Sequence, residues 1–370
     1  MRATKAIIHL DRLRGNIQAV REKIGPNPRI CVPIKADAYG HGAVRIAVAA
    51  IQAGAGYLAV ASTQEGIELR DAGIVAPILL LSQPLAEELP DIVRYRLTLM
   101  ISDADFAAEA AAAADRAGDI LSVHLKVDTG MGRMGCRPGD ALVLARHIGS
   151  QISLKLTGTA THFAVADSAK PDDVLYTKEQ IHCFQSVLEE FRDSGVNPGI
   201  VHAANSGAVV LHGDSFFDMV RPGLLLYGYP PVREAAELVP VEPVMELRTH
   251  IVFTKEVFKG ESVSYGRTWQ ADRNTILGTL PVGYADGLPR SLSGRYSVAI
   301  GGKAYPLVGT ICMDQCLVDL GPDTDLKRWD EVTVFGNGGS DAADVADILG
   351  TIPYEITCNI HKRVPRVYVT

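Results

Sequence analysis

The stretch ICVPIKADAYGHGAVRIAVAAIQAGAGYLAVAS, residues 30–62, decides the architecture. It opens on a short apolar run (ICVPIKA, 30–36), passes through a helix candidate (AVRIAVAA), and ends on a second run (YLAVAS, 57–62). Strand, helix and strand in that order make a parallel βαβ unit. The alternation continues through APILLLSQ (76–83), LTLMIS (97–102), LSVHLKVDT (121–129), KLTGTATHF (155–163), IVHAANS (200–206) and DMVRPGLLLYG (218–228). Helix candidates fill the gaps. In DVLYTKEQIHCFQSVLEEFRDSG, residues Ile181, Phe184, Leu188 and Phe191 fall on one apolar face, and Gly195 supplies a C-terminal stop. Eight runs fit an (α/β)₈ barrel better than a doubly wound sheet, which often has five or six strands.

After Tyr229-Pro230-Pro231 the texture changes to short strands: PVMELRTHIVFTKEV, TILGTLPVGYA, YSVAIGGKAYPLVGTI and DEVTVFG. Gly301-Gly302 between two apolar runs signals a hairpin. DAADVADILG (341–350) is a helix with Ser340 or Asp341 as its cap. The expected division is therefore a barrel domain over 1–236 and a mainly β domain over 237–370.

The chain has 370 residues, 47% hydrophobic and 21% charged, a composition too apolar for disorder. Thirty-six basic against 43 acidic residues give a charge of −7, which argues against nucleic acid or an anionic membrane as partner. No apolar run approaches the roughly 20 residues of a membrane span. The opening MRATKAIIHLDRLRGN interrupts its apolar run with Asp11, Arg12 and Arg14, unlike a signal peptide. Six cysteines without a CxxC pair imply reduced thiols and a cytoplasmic location.

Active sites of such barrels lie where strands end. Those positions hold Lys35-Ala-Asp-Ala-Tyr39-Gly-His-Gly42, Asp128-Thr-Gly-Met-Gly-Arg133, Thr161-His162, Asn205-Ser206-Gly207 and Arg221-Pro-Gly223. Lys35 closes an apolar run, where burial would lower its pKa toward a usable amine. A lysine that merely caps the strand is the alternative, and the glycines at 40 and 42 favour the reactive reading by allowing close backbone approach to a ligand. His124, Lys126 and Asp128 alternate with apolar residues, so this strand has one polar face, toward the barrel lumen or a solvated edge. GMGRMG (130–135) matches a dinucleotide fingerprint in letters only: Pro138 and Gly139 delay the helix, and Lys155 stands where an acid belongs. His162 is either a core histidine or a proton-relay partner. No metal-ligand spacing, serine-hydrolase elbow or P-loop occurs.

Taken in order, VPIKADAYGHG, DTGMGRMG, THFA, ANS, RPGLLLYG, VSYGRTW, GYADGLPR, GTICMDQ and RVPRVY resemble the bacterial alanine racemases over essentially the whole chain. AIIHL departs from that family's more acidic first strand. The resemblance implies a pyridoxal 5′-phosphate enzyme interconverting L- and D-alanine for cell-wall synthesis, a homodimer whose active sites join one barrel to the partner's β domain. It implies Lys35 as the Schiff-base lysine and Tyr265 from the other subunit as the second base. Tyr39, Ser206, Tyr354 and the amides near Gly223 and Leu224 resemble the phosphate site, Asn205 a neighbouring cofactor-loop residue, and Arg221 the partner of the pyridine nitrogen. Arg133 and the Met313 amide resemble substrate-carboxylate ligands, while His162 and Asp314 resemble supporting residues. Tyr284 and Tyr354 would narrow the entrance, and Lys126 resembles a lysine carried as its carbamate. The rivals are a serine or broad-specificity racemase, a non-enzymatic pyridoxal-phosphate-binding protein, which should lack the β domain, and a nucleotide-dependent oxidoreductase.

Overall fold

Strand β1 (Lys5–His9) is followed by eight short strands: β2 (Arg29–Pro33), β3 (Tyr57–Val60), β4 (Ile78–Leu80), β5 (Thr98–Ile101), β6 (Leu121–Lys126), β7 (Leu154–Ala160), β8 (Ile200–His202) and β9 (Met219–Val220). In this computed structural model, which describes residues 2–370, β2 to β9 pair in parallel and in sequence order, and β9 closes on β2 through Arg29↔Met219. The runs are buried on both faces, as a barrel wall lined by helices requires. Cys31, Tyr57, Leu79, Met100, Ala160 and Met219 form the apolar part of the interior.

The helices follow their end signals. Asp103 caps Ala104–Ala117 by accepting from Phe106 N, and Gly118 ends it in the left-handed region. Pro171–Asp193 buries Ile181, Phe184, Val187 and Phe191. Leu188, expected on that face, is half-buried, because the stripe advances from Phe184 by three residues rather than four.

Ten further strands build the second unit: β10 (Met245–His250), β11 (Phe253–Val257), β12 (Ser262–Val263), β13 (Trp269–Gln270), β14 (Thr275–Leu280), β15 (Ser297–Ile300), β16 (Lys303–Val308), β17 (Cys316–Gly321), β18 (Glu331–Phe335) and β19 (Arg366–Val369). With β1 they make a nine-stranded sheet, β11-β14-β17-β16-β15-β18-β10-β1-β19, and the small ribbon β12-β13. Gly301 and Gly302 form the expected two-residue turn, both at positive φ, with Ile300 opposite Lys303. Asp341 caps the helix Ala342–Leu349.

The division between units differs from the expected 236/237 in two ways. The barrel unit runs on to Glu242, because Asn16 takes both the N–H and the C=O of Glu242 (2.8 and 2.9 Å). The chain up to Arg12 belongs to the β unit, since β1 pairs antiparallel with β10 and parallel with β19, burying Ala6 and Ile8. Residues Tyr39–Gly42 also group with that unit, where Arg366 Nε donates to Gly40 O at 3.0 Å. Among the described residues, no helix is long and apolar enough to cross a membrane.

Candidate active site

Lys35 stands two residues beyond β2, at the rim where the barrel strands end. The chain after it does something the sequence does not announce. Ala36, Asp37, Ala38 and Tyr39 are four consecutive non-glycine residues in the left-handed helical region, with φ of 53–54°. At roughly 1–2 kcal/mol each, such a turn costs about 4–8 kcal/mol and needs external supports. It has them: Ala36 N donates to Glu65 Oε1 (2.7 Å), Ala38 N to Ile34 O (2.8 Å), and Asp37 Oδ1 accepts from Ala43 N (2.7 Å). Glu65 also accepts from Ala61 N at 2.8 Å, and Tyr227 Oη donates to Pro33 O at 2.7 Å. Strain and clamps together fix the backbone that carries Lys35.

The polar face of β6 points into the barrel. His124 lies among Tyr57 and His202, fully buried. Arg221, just past β9, extends into the same interior. Its Nη2 donates to Thr161 O (2.8 Å), Ala203 O (3.1 Å) and His162 Nδ1 (3.2 Å), and its Nη1 donates to His202 Nδ1. A guanidinium only donates, so the Nδ1 atoms of His162 and His202 are both acceptors and both rings carry their proton on Nε2. Burial, then Arg221, holds both imidazoles well below their usual pKa.

Lys126, 7% exposed, ends β6 beneath the loop that follows it, and its Nζ donates to Val127 O at 3.2 Å. Burial first, then Arg221, brings its pKa down from 10.5 to about 7. GMGRMG is a closed loop rather than a helix start: Cys136 returns beside Val127, and helix begins only at Ala141. Asp128 organises it by accepting from the amides of Gly130 and Gly132 (3.0 Å). Burial opposes the charge on Asp128, yet these amides hold its pKa below the carboxylate norm. Arg133, in the same loop, is exposed, yet near enough to act on the buried Lys126 and His162.

Ser206 opens a short helix, and its Oγ accepts from Gly223 N (2.8 Å) and Leu225 N (3.3 Å). Amides converging on one hydroxyl are a donor cluster suited to an anion. Gly207 allows this close packing, because a Cβ there would lie 2.6 Å from Asp167 N. Asn205, expected near a cofactor loop, spends its Oδ1 on the helix cap, accepting from Ala208 N at 3.0 Å.

In the β unit, Tyr265 is 71% exposed and Met313 53%. Tyr39 and Tyr354 stack with centroids 4.7 Å apart. Asp314 pairs with Arg363 Nη1 at 2.8 Å. Arg363 also binds Asp286 Oδ1 through Nε (2.7 Å) and reaches Met313 O (3.4 Å), while Asp286 Oδ2 accepts from Gly283 N (3.0 Å). Asp286, fully buried, also pairs with Arg2. Asp286 and Arg363 lie in motifs visible in the sequence, but only folding reveals that they tie the turn carrying Met313 to the one carrying Tyr284.

A closed parallel eight-stranded barrel that gathers an amine, a buried guanidinium and an amide cluster at its strand ends has the architecture of a barrel enzyme. Family models for the alanine racemase N-terminal and C-terminal domains match residues 8–231 and 244–368. An alanine racemase of Treponema denticola is 50% identical over 375 aligned residues, covering 100% of this chain and 99% of the relative. One from Treponema pallidum is 46% identical, with full coverage of both chains. The solved alanine racemase of Clostridium difficile 630 superposes with a TM-score of 0.95 at 36% identity, covering 100% of this chain and 96% of that one. The chain belongs to the alanine racemase family.

Proposed function

We propose that this protein interconverts L- and D-alanine with pyridoxal 5′-phosphate, as a homodimer whose active sites each use the barrel of one protomer and Tyr265 of the partner subunit. The observation that carries the reading is Lys35, held on a strained, clamped turn at the same barrel rim as Arg221 and the Ser206 amide cluster. The donor set fits the cofactor: amides of Gly223 and Leu224 with Ser206 for a phosphate dianion, and a donor-only guanidinium for an unprotonated ring nitrogen. When bound, pyridoxal phosphate supplies the carbonyl that captures the substrate amine and a ring that spreads the charge left at Cα. Arg221 keeps its proton, so it would leave the ring nitrogen unprotonated and the ring a weaker acceptor of that charge.

Racemisation needs a proton acceptor and donor on each side of Cα. Lys35 Nζ serves the D-alanine side, and Tyr265 of the partner subunit serves the L-alanine side. Its exposed hydroxyl is available to another chain. His162, neutral with its Nε2 proton set by Arg221, is the hydrogen-bond donor to that tyrosine oxygen. Arg133 and the Met313 amide of the partner subunit hold the substrate carboxylate, and Tyr284 limits side-chain size. Lys126 Nζ, whose pKa falls to about 7, adds in its neutral form to carbon dioxide: an N–C bond forms, one proton leaves, and the carbamate oxygens accept from Arg133.

The product would serve as the D-alanine of peptidoglycan in the cytoplasm. Relatives named for alanine favour it over serine, although one hydroxyl shifts pocket selectivity by only about 1–3 kcal/mol. The test is the visible absorption of the purified protein, borohydride fixation with peptide mapping, and racemisation of a panel of L-amino acids. A pyridoxyl group on Lys35 and preference for alanine are expected. An adduct on another lysine overturns the assignment.

A further inference from the structure

The proposed mechanism leaves the buried histidine of β6 unused. His124 is fully buried on β6, and its Nδ1 lies 2.8 Å from Nε2 of His202. We propose that His124 is a positioning residue that locks the tautomer of His202 and, through it, the orientation of the Arg221 guanidinium.

The direction of every proton in this chain follows from one end. Arg221 Nη1 can only donate, so His202 Nδ1 accepts and its proton sits on Nε2. That Nε2–H points at His124 Nδ1, which must then accept, so His124 carries its own proton on Nε2. Among the described residues, the His124 Nε2 atom has no hydrogen-bond partner. An N–H left unpaired in the interior is unfavourable, and the cost is retained at this end of the chain rather than at Arg221. Without His124 as acceptor, the alternative tautomer of His202 would place a proton against the Arg221 donor.

The barrel is shaped to hold this ring. A bulge between β6 and β7 shifts the register after Val123 and sets Gly158 opposite His124. A Cβ on Gly158 would lie 2.7 Å from the ring's Cε1, Nδ1 and Nε2 atoms, so only glycine admits the imidazole there. Titratable and charged groups around the pair are Arg221, Lys126, Tyr57 and, beside Arg221, Cys31. Burial first, and then Arg221, presses His124 down to about 3. Both rings stay neutral across the working pH range.

The inference rests on the proposed function only where it concerns turnover, since the tautomers belong to the chain itself. Nitrogen NMR of the full-length, histidine-labelled protein, with and without pyridoxal phosphate, reads them directly. His124 and His202 should both appear protonated on Nε2 and unchanged from about pH 5.5 to 9. An Nδ1 proton on either ring, or a titration in that range, overturns the relay. In the holoenzyme, His124→Leu should lower kcat roughly five- to tenfold with KM within about twofold, and shift the cofactor's visible band. His124→Gln, whose amide oxygen can accept from His202, should recover most of both. Gly158→Ala, which displaces the ring without changing it, should imitate His124→Leu. Unchanged band and kcat in both disruptive variants refute the positioning role. If His124→Leu does not fold, the wild-type tautomers and Gly158→Ala still decide. Correct tautomers in a protein that racemises no amino acid would sink the proposed function and leave the relay standing.

Discussion

Lys126 offers the sharpest quantitative test of the barrel interior, through the substitution Lys126→Met. The fall of its pKa from 10.5 to about 7, at about 1.4 kcal/mol per tenfold change in proton affinity, makes the charged side chain about 5 kcal/mol less favourable in the folded protein than in the unfolded one. The sign follows from the proton count. Between pH 7 and 10.5 the unfolded lysine holds its proton and the folded one does not, so stability rises with pH over that window. Below about pH 7 both forms are charged and the whole penalty applies, while above 10.5 both are neutral and it vanishes. Wild type should therefore gain about 2 kcal/mol on Lys126→Met between pH 7 and 9. The methionine, of similar length and uncharged, contributes no slope of its own.

Carbon dioxide enters the same experiment as a ligand. A carbamate forms only on the folded protein's neutral amine, so bicarbonate buffer should stabilise wild type by about 1.4 kcal/mol at tenfold excess over its dissociation constant and leave Lys126→Met unmoved. The assay is urea unfolding at fixed protein concentration, at pH 7, 8 and 9, in carbonate-free and bicarbonate buffers, with native mass spectrometry of the folded species. Parallel pH dependences for wild type and variant would refute the buried, depressed lysine. Equal stability and mass in the two buffers would refute the carbamate alone.

Three further outcomes are expected. Inactive Lys35→Ala and Tyr265→Ala chains, mixed and re-formed as heterodimers, should regain activity at one of two sites; heterodimers that form and stay inactive would rule out a shared site. Glu65→Ala removes the acceptor of Ala36 N and should destabilise the protein by about 2–4 kcal/mol and slow cofactor attachment, whereas Ser62→Ala, which loses only the helix cap, should cost about 1 kcal/mol and leave attachment unchanged. Arg363→Ala should raise KM for alanine more than it lowers kcat, by freeing the turn of Met313, with a stability loss of about 1–2 kcal/mol because the arginine is one-third exposed; an unchanged KM would count against that coupling.

The parts of the fold that were legible in sequence are those whose burial is two-sided. Eight barrel strands read as short apolar runs because both faces are covered, and Gly301-Gly302 announced its hairpin by local chemistry alone. β1 and β19 gave no such signal, since their partners lie far away in the chain, and the ribbon strands β12 and β13, though close in sequence, are two residues each and too short to stand out. The site shows the same split. Lys35 and Arg221 are visible as polar residues ending apolar runs. The left-handed turn is invisible, since Ala-Asp-Ala-Tyr carries no preference for positive φ and its support, Glu65, comes from another βα unit. The polar alternation of His124 and Lys126 left lumen and edge equally open, until the contact with His202 settled it.

That interior also explains a contrast between the chain's charge and its site. The protein as a whole carries −7, yet the neutral His162 feels Arg221, Lys126, Arg133 and Lys35 together, each adding to burial in disfavouring its cation. The nearby carboxylate of Asp128 is committed to the amides of its own loop, and that of Asp37 to Ala43 N. The histidines, kept neutral first by burial and then by Arg221, add no charge, and the Arg221 guanidinium cannot release its proton. Under the proposed function, a fixed guanidinium of this kind would attract the phosphate of a cofactor and the carboxylate of a substrate before any shape is read. The strained turn after Lys35 then fixes where that amine stands relative to the guanidinium, at the cost of four left-handed residues.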